Sequence, residues 1–523
     1  MNHLMIAPVL LPAVVGAMIL LGARNDLVVQ RVLSIASTVS LVVVALILNW
    51  QVSGGEIFVY RLGNWPAPFG IVLMLDRLAG IMLGLTAILA VVVQLYAFGS
   101  GWDRKGWHFH ALWQFQLMGI CGAFLTGDAF NLFVFFEILL IASYGLMIHG
   151  GGEMRLRAGV QYIVYNLAGS ALFLAALGTL YAVTGTLNMA DMALRIAAMP
   201  PEHTSMLRTG AVLLMLVFCV KAALVPLQFW LPATYANAPG PVAALFAIMT
   251  KVGVYAIIRF FTLVFPQDSV AETIAMQLLL PAALVTLIIG QFGVLGARNL
   301  HRMGAFAAIG SIGTLMIAVS QFSGVGLTAG LYYLIHSTLA TALLFLVIDL
   351  IGARRHDLWL RVAPMIPGSG LIGALFMIAA IAITGMPPLS GFLGKLMIMD
   401  AVRGVPAWGW IWAIILVTSL IAIAGMMRAG SIIFWKCSAI HTVEAPAANK
   451  PAVSVEPDEP VQDLGDAAAP VLALIATGTL VALLVALTVF AGPAVSYTEA
   501  TAAQLLDPRP YIESVLVEQE GTR

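Results

Sequence analysis

Residues 221–259 read KAALVPLQFWLPATYANAPGPVAALFAIMTKVGVYAIIR. The apolar runs here are continuous and do not alternate at period two, the pattern of membrane helices rather than of barrel strands. The stretch also holds what a lipid-embedded helix should exclude. Lys221 and Lys251 lie inside the apolar runs, and Pro226, Pro232, Pro239 and Pro241 fall between them. Proline removes a backbone donor and disrupts the turn before it. Irregular backbone at membrane depth is tolerated where it is buried in protein or lines water. The stretch therefore predicts a broken transmembrane helix with ionisable groups in a sheltered interior.

The whole chain agrees. Of 523 residues, 61% are hydrophobic and only 10% charged, and the mean hydropathy is +0.99. An ordinary soluble protein carries about 25% charged and about 45–50% apolar residues. The 25 acids balance the 25 bases, so no basic field exists to hold nucleic acid. Cys121, Cys219 and Cys437 have no CxxC or zinc-type spacing, which argues against thiol redox chemistry and zinc.

At roughly 20 apolar residues per span, the hydropathy predicts an all-α polytopic membrane protein with about 14 transmembrane helices. They run over 4–22, 28–49, 71–98, 109–127, 129–150, 158–184, 208–231, 240–263, 271–297, 303–321, 327–353, 369–400, 407–435 and 468–491. The first lacks a basic leader region and reads as a span, not a cleaved signal. Loops after odd-numbered spans carry 14 Lys and Arg residues, against 5 in loops after even-numbered spans. The positive-inside rule then places both termini on the outer side. Residues 50–70 read as an external β-hairpin, and 188–199 as a helix along the interface. The Ala-, Pro- and acid-rich stretch 436–467 reads as a flexible cytoplasmic linker.

A second anomalous region repeats the first. ITGMPPLSGFLGKLMIMD places Pro387 and Pro388 just before Lys395. Spans 7 and 12 are thus both broken, each with a lysine near the break, as in inverted-repeat transporters. Five-helix repeats over spans 4–8 and 9–13 fit that spacing. Glu137 lies in NLFVFFEILLIASYGLM, and His336 is centred in LYYLIHSTLATALLF with Thr338 and Thr341 on nearby faces. An ionisable group at mid-membrane opposes insertion by roughly 2.5–3.5 kcal/mol. Ion pairs that lock helices together would be one reason to keep such groups. Three lysines to one glutamate leave that explanation incomplete. Desolvation favours the neutral form of each group and an opposite charge nearby favours the charged form. A Glu–Lys pair that opens and closes is therefore a proton switch. His149, at the end of span 5, is a candidate uptake point for protons. Asp128 reads as a helix cap, and Asp76, Asp349 and Asp400 as interfacial.

At these residues the chain resembles the antiporter-like membrane subunits shared by the Mrp (Pha, Mnh) multisubunit cation/proton antiporters and respiratory complex I, most closely the D-type branch of the Mrp group. The segments that carry the resemblance are GDAFNLFVFFEILLIASYGLM, the 221–259 stretch and TGMPPLSGFLGK. It implies that Glu137 and Lys221 form the switch pair, that Lys251 is a central relay, and that His336 and Lys395 continue the path. Some relatives carry a lysine shortly after that histidine, where this chain has Ala340 and Thr341.

The resemblance further implies a subunit of a multisubunit Na+ or K+/proton antiporter in the bacterial inner membrane. It would be a secondary transporter rather than an enzyme, without cofactors. Its expected partners are the A-type and small membrane subunits of such a complex. The rival readings are a proton-pumping subunit of a complex I-like NADH:quinone oxidoreductase or membrane hydrogenase, and a scaffold whose buried charges only pair helices. The expected organisation is 1–98 for spans 1–3 with the hairpin, 99–263 for the first repeat and 264–435 for the second. The linker 436–467 and a last span with an outer tail, 468–523, follow.

Overall fold

A computed structural model describes residues 3–200, 204–265, 270–355, 357–436 and 470–516. The predicted linker 436–467 lies, apart from Lys436, outside the described residues. The chain begins with α1 (Ala7–Gly22) and α2 (Leu27–Val52), then β1 (Phe58–Arg61) and β2 (Val72–Leu75). Next come α3 (Arg77–Ser100), α4 (Phe109–Leu125), α5 (Ala129–Met147), α6 (Glu153–Thr184) and the short α7 (Met189–Ala197). The chain continues through α8 (Thr204–Ala222), α9 (Trp230–Asn237), α10 (Gly240–Arg259), α11 (Val270–Gly296), α12 (Leu300–Val319) and α13 (Gly324–Arg355). After these stand α14 (Ser369–Thr384), α15 (Ser390–Ala401), α16 (Trp408–Gly430), α17 (Val471–Val489), α18 (Ala491–Leu506) and α19 (Arg509–Leu516). Twelve helices among the described residues are long and apolar enough to cross a membrane, and α4 and α14 are shorter apolar helices.

The helix starts follow local chemistry. Asp26, Asp76, Asp128, Asn188 and Asn299 each cap the helix that follows by accepting a backbone N–H from its first turn, satisfying donors that have no intrahelical partner. Asp128 is thus a cap, accepting from Asn131 N at 2.8 Å.

One sequence expectation needs correction. The strands of the hairpin pair antiparallel, with Phe58 opposite Leu75 and Arg61 opposite Val72. The second strand therefore takes residues 72–75, which hydropathy alone had assigned to span 3, while residues 50–52 belong to α2. The tail forms two helices, with α18 against α13 and α3 and α19 against α7 and β1. Asp76, at the start of α3, is buried. It holds Arg259 of α10 in a two-pronged ion pair at 2.6 and 2.9 Å, and the guanidinium lies between the rings of Tyr255 and Tyr511 at 5.4 and 5.3 Å.

The core has α10 at its centre. Every residue of α10 is buried, as expected of a helix apolar all round. A row of helices in successive contact passes through it: α5 packs on α6, α6 on α8, α8 on α10, α10 on α13 and α13 on α15.

Between α3 and α4, Arg31 clasps the buried Asp103 at 2.5 and 2.8 Å, and His110 Nε2 lies 3.4 Å away. Burial alone would push the Asp103 carboxyl up. The Arg31 hydrogen bonds and charge, with His110 close by, outweigh it and hold the carboxyl below its usual range. A depressed folded-state carboxylate contributes stability above its unfolded value and loses it as pH falls through the folded one. Asp103→Asn should therefore cost about 1.5–3 kcal/mol at neutral pH. That gap should close as pH drops below the ordinary value of 3.8, which thermal unfolding of both proteins across pH would show.

Candidate functional site

Both predicted helix breaks are present. The first separates α8 from α9 and the second separates α14 from α15. Their freed backbone groups find partners, as membrane depth requires. Val225 N donates to Thr286 Oγ1 at 2.9 Å, and Trp230 Nε1 donates to the Val220 carbonyl at 2.8 Å. At the second break Gly385 takes the left-handed conformation, φ 73°, and its N–H closes the end of α14 on the Ile381 and Ala382 carbonyls. The lysines are placed differently at the two breaks. Lys221 is in the last turn before the first, whereas Lys395 is in the half-helix after the second.

The five predicted residues all fall on the row of contacting helices. Glu137 of α5 is half-buried and accepts a hydrogen bond from Ser170 Oγ of α6. Lys221 of α8 is 5% exposed. Its Nζ donates to Asn166 Oδ1 of α6 at 3.3 Å and lies 5.9 Å from the centre of the Phe136 ring. Glu137 is within electrostatic reach of Lys221, yet the two form no direct ion pair.

Lys251, 1% exposed, sits on α10 and makes no direct hydrogen bond to a described residue. Two residues on, Gly253 lets α8 approach. A methyl at 253 would lie 2.6 Å from Ala222 N and 2.9 Å from the carbonyl carbon of Lys221. His336 of α13, also 1% exposed, is within electrostatic reach of both Lys251 and Lys395. Its Nε2 lies 3.1 Å from the Ala382 carbonyl, which can only accept, so Nε2 carries a proton. Nδ1, 2.8 Å from Ser390 Oγ, then accepts from that hydroxyl when the ring is neutral. Gly391 leaves room for the ring, since a methyl there would lie 2.6 Å from Nε2. Lys395, 7% exposed, donates to the Thr384 carbonyl at the end of α14 and to Ser419 Oγ, both at 2.7 Å.

None of these five groups has an ion-pair partner within 4.0 Å among the described residues. The scaffold reading, which needs direct pairs, has no such pair to rest on. Where a direct partner exists it is neutral: an amide, a hydroxyl or a carbonyl. Such partners can hold an ion and also let it change protonation state, since hydroxyls both donate and accept. Thr341 Oγ1, buried near His336 in sequence, has no hydrogen-bond partner among the described residues.

Other polar groups lie apart from this row. A cavity of about 390 Å³ opens beside Asp349, lined among others by Trp102, Arg155, Asn237 and His301, and by none of the five. Asp349 accepts from Tyr96 Oη at 2.7 Å and from Trp102 Nε1 at 3.0 Å. His149 Nε2 donates to the Trp102 carbonyl at 2.8 Å.

The chain is similar to known proteins. The family model described as "NADH:quinone oxidoreductase/Mrp antiporter, TM" matches residues 126–423. The chain belongs to this family. The match starts just before α5 and ends within α16, so it includes all five of these groups. Within the NADH:quinone oxidoreductase/Mrp antiporter family, the chain is 39% identical to the D subunit of the Na(+)/H(+) antiporter of Bacillus subtilis, over 83% of this chain and 87% of that one. It is 37% identical to the D subunit of a probable K(+)/H(+) antiporter of Rhizobium meliloti, over 99% of this chain and 98% of that one. Among solved structures, a chain of the Mrp complex from Dietzia sp. DQ12-45-1b superposes with a TM-score of 0.83 at 26% identity, covering 99% of this chain and 100% of that one. A chain of respiratory complex I from Thermus thermophilus, at 24% identity and a TM-score of 0.76, covers 96% of this chain and shares the fold.

Proposed function

We propose that this chain is the proton-translocating membrane subunit of a multisubunit Na+ (K+)/H+ antiporter. Protons would pass along Glu137, Lys221, Lys251, His336 and Lys395, and their inward movement would drive cation efflux. The observation that carries this reading is the row of contacting helices from α5 to α15. Each bears a buried or half-buried titratable group, or in α6 the neutral partners of two, and none of the five groups is locked in an ion pair among the described residues.

Counting α4 and the joined α14–α15 with the twelve longer helices gives fourteen spans, arranged as inverted five-helix repeats over spans 4–8 and 9–13. The breaks five spans apart support this. The domain limits follow as 1–98, 99–263, 264–435, 436–467 and 468–523. The basic-residue asymmetry supports outer-facing termini in the bacterial cytoplasmic membrane. The names of the relatives favour assembly with A-type and small membrane subunits over a complex I-like or hydrogenase complex. The proteins that co-purify with the tagged chain would separate these assemblies.

The direct test is Glu137→Gln in the assembled complex. Cation-dependent proton movement in everted vesicles should fall at least about tenfold, since a positioned proton-transfer group contributes roughly 10²–10⁴-fold. Unimpaired exchange by an intact variant complex would remove Glu137 from the path.

A further inference from the structure

We infer that Asn166 and Ser170 of α6 are positioning residues that hold the Glu137–Lys221 pair open. This rests on the functional reading above and deepens it. The two residues are four apart, so their side chains stand on one face of α6, one turn and about 6 Å of helix rise from each other. Tyr162, Gly169 and Phe173 share the buried side of α6. Ser170 Oγ donates to Glu137 Oε1, while Asn166 Oδ1 accepts from Lys221 Nζ. Asn166 is itself oriented by its amide, which donates to the Tyr162 carbonyl at 2.9 Å.

Each ion of the pair thus has a neutral substitute for the other. The carboxylate accepts a hydrogen bond from a hydroxyl, and the ammonium donates one to an amide oxygen. A buried charge left without either would have to close on its partner or give up its charge. With the substitutes in place, opposite charges stay within electrostatic reach without collapsing into contact. The pair can then change its protonation state without first breaking a direct salt bridge. No covalent bond is made or broken in this arrangement. The proton that leaves Lys221 passes to the next group of the path, and α6 supplies only the resting positions.

The experiment compares Asn166→Leu, Ser170→Ala and Ser170→Thr with Glu137→Gln, each in the full complex, by ΔpH-driven exchange in everted vesicles normalised to complex yield. Loss of a hydrogen bond to a charged group should lower exchange about tenfold in Asn166→Leu and Ser170→Ala at normal yield. Ser170→Thr, which keeps the hydroxyl, should stay within about twofold of the parent chain. Wild-type exchange by Asn166→Leu and Ser170→Ala beside an inactive Glu137→Gln would overturn the role of α6 and leave the functional reading standing. Activity that falls only in proportion to yield, or is not rescued by threonine, would make α6 a structural element and overturn the inference as well. Full exchange by Glu137→Gln would take down the functional reading and this inference together.

Discussion

Lys251→Met in the assembled complex is expected to abolish cation-dependent proton movement while complex yield stays the same or rises. The two outcomes have one cause. Lys251 lies at the middle of the row, between the Lys221 helix and the His336 helix, on a helix with no exposed face. It also makes no hydrogen bond to a described residue. Methionine matches its length, leaves no donor or acceptor orphaned, and removes an ionisable group that opposes insertion by roughly 2.5–3.5 kcal/mol. A lysine kept only for architecture would behave the other way, with its loss weakening assembly. Quantified complex on native gels, together with fluorescence-quench assays of ΔpH in everted vesicles, measures both. An assembled Lys251→Met complex that exchanges normally would sink the relay.

Arg259→Leu is expected to fail in the opposite sense, through stability rather than transport. It leaves the Asp76 carboxylate buried with no counter-charge. Breaking a buried pair by removing one partner costs about 3–5 kcal/mol, a large share of a typical folding free energy. Complex yield and thermal midpoint should drop sharply. Replacing both partners at once, as Asp76→Asn with Arg259→Leu, should recover much of the loss, since asparagine can still cap α3. Equal damage in the single and double variants would show that the pair is not the source. Tyr255 stands between Lys251 and Arg259 at helical spacing, so the double variant also reports whether the Arg259 end of α10 influences exchange.

The parts of the molecule written in long apolar runs were legible in the sequence. Hydropathy located the helices because a span needs a stretch of fixed length, and the two breaks were visible because proline leaves few alternatives. Glu137, the three lysines and His336 were legible because a buried charge costs enough to need a reason. What escaped was decided by short-range geometry. Residues 72–75 are as apolar as the helix they precede, and only their pairing with 58–61 makes them a strand. In α18, AGPAVSYTEATAAQLL carries too few large apolar residues to announce a docked helix. Asn166 and Ser170 gave no signal because single small polar residues inside a span are common. Their importance lies in which side chains they reach across to. Arg259 gave no sign of its role because it lies near the end of an apolar run, and its partner is 183 positions away.

The docking of α18 and α19 bears on how the protein is made. Asp76 emerges from the ribosome early, and Arg259 only after half the chain. The groups that cover them come later still: Gln504, which accepts from Arg77 N across 427 positions, and Tyr511, whose ring faces the Arg259 guanidinium. Through most of synthesis and insertion this corner of the bundle stands unroofed, with charges that prefer water. Quality control that surveys half-built membrane proteins would find it there, and a truncation after α17 would leave that mark permanently on display.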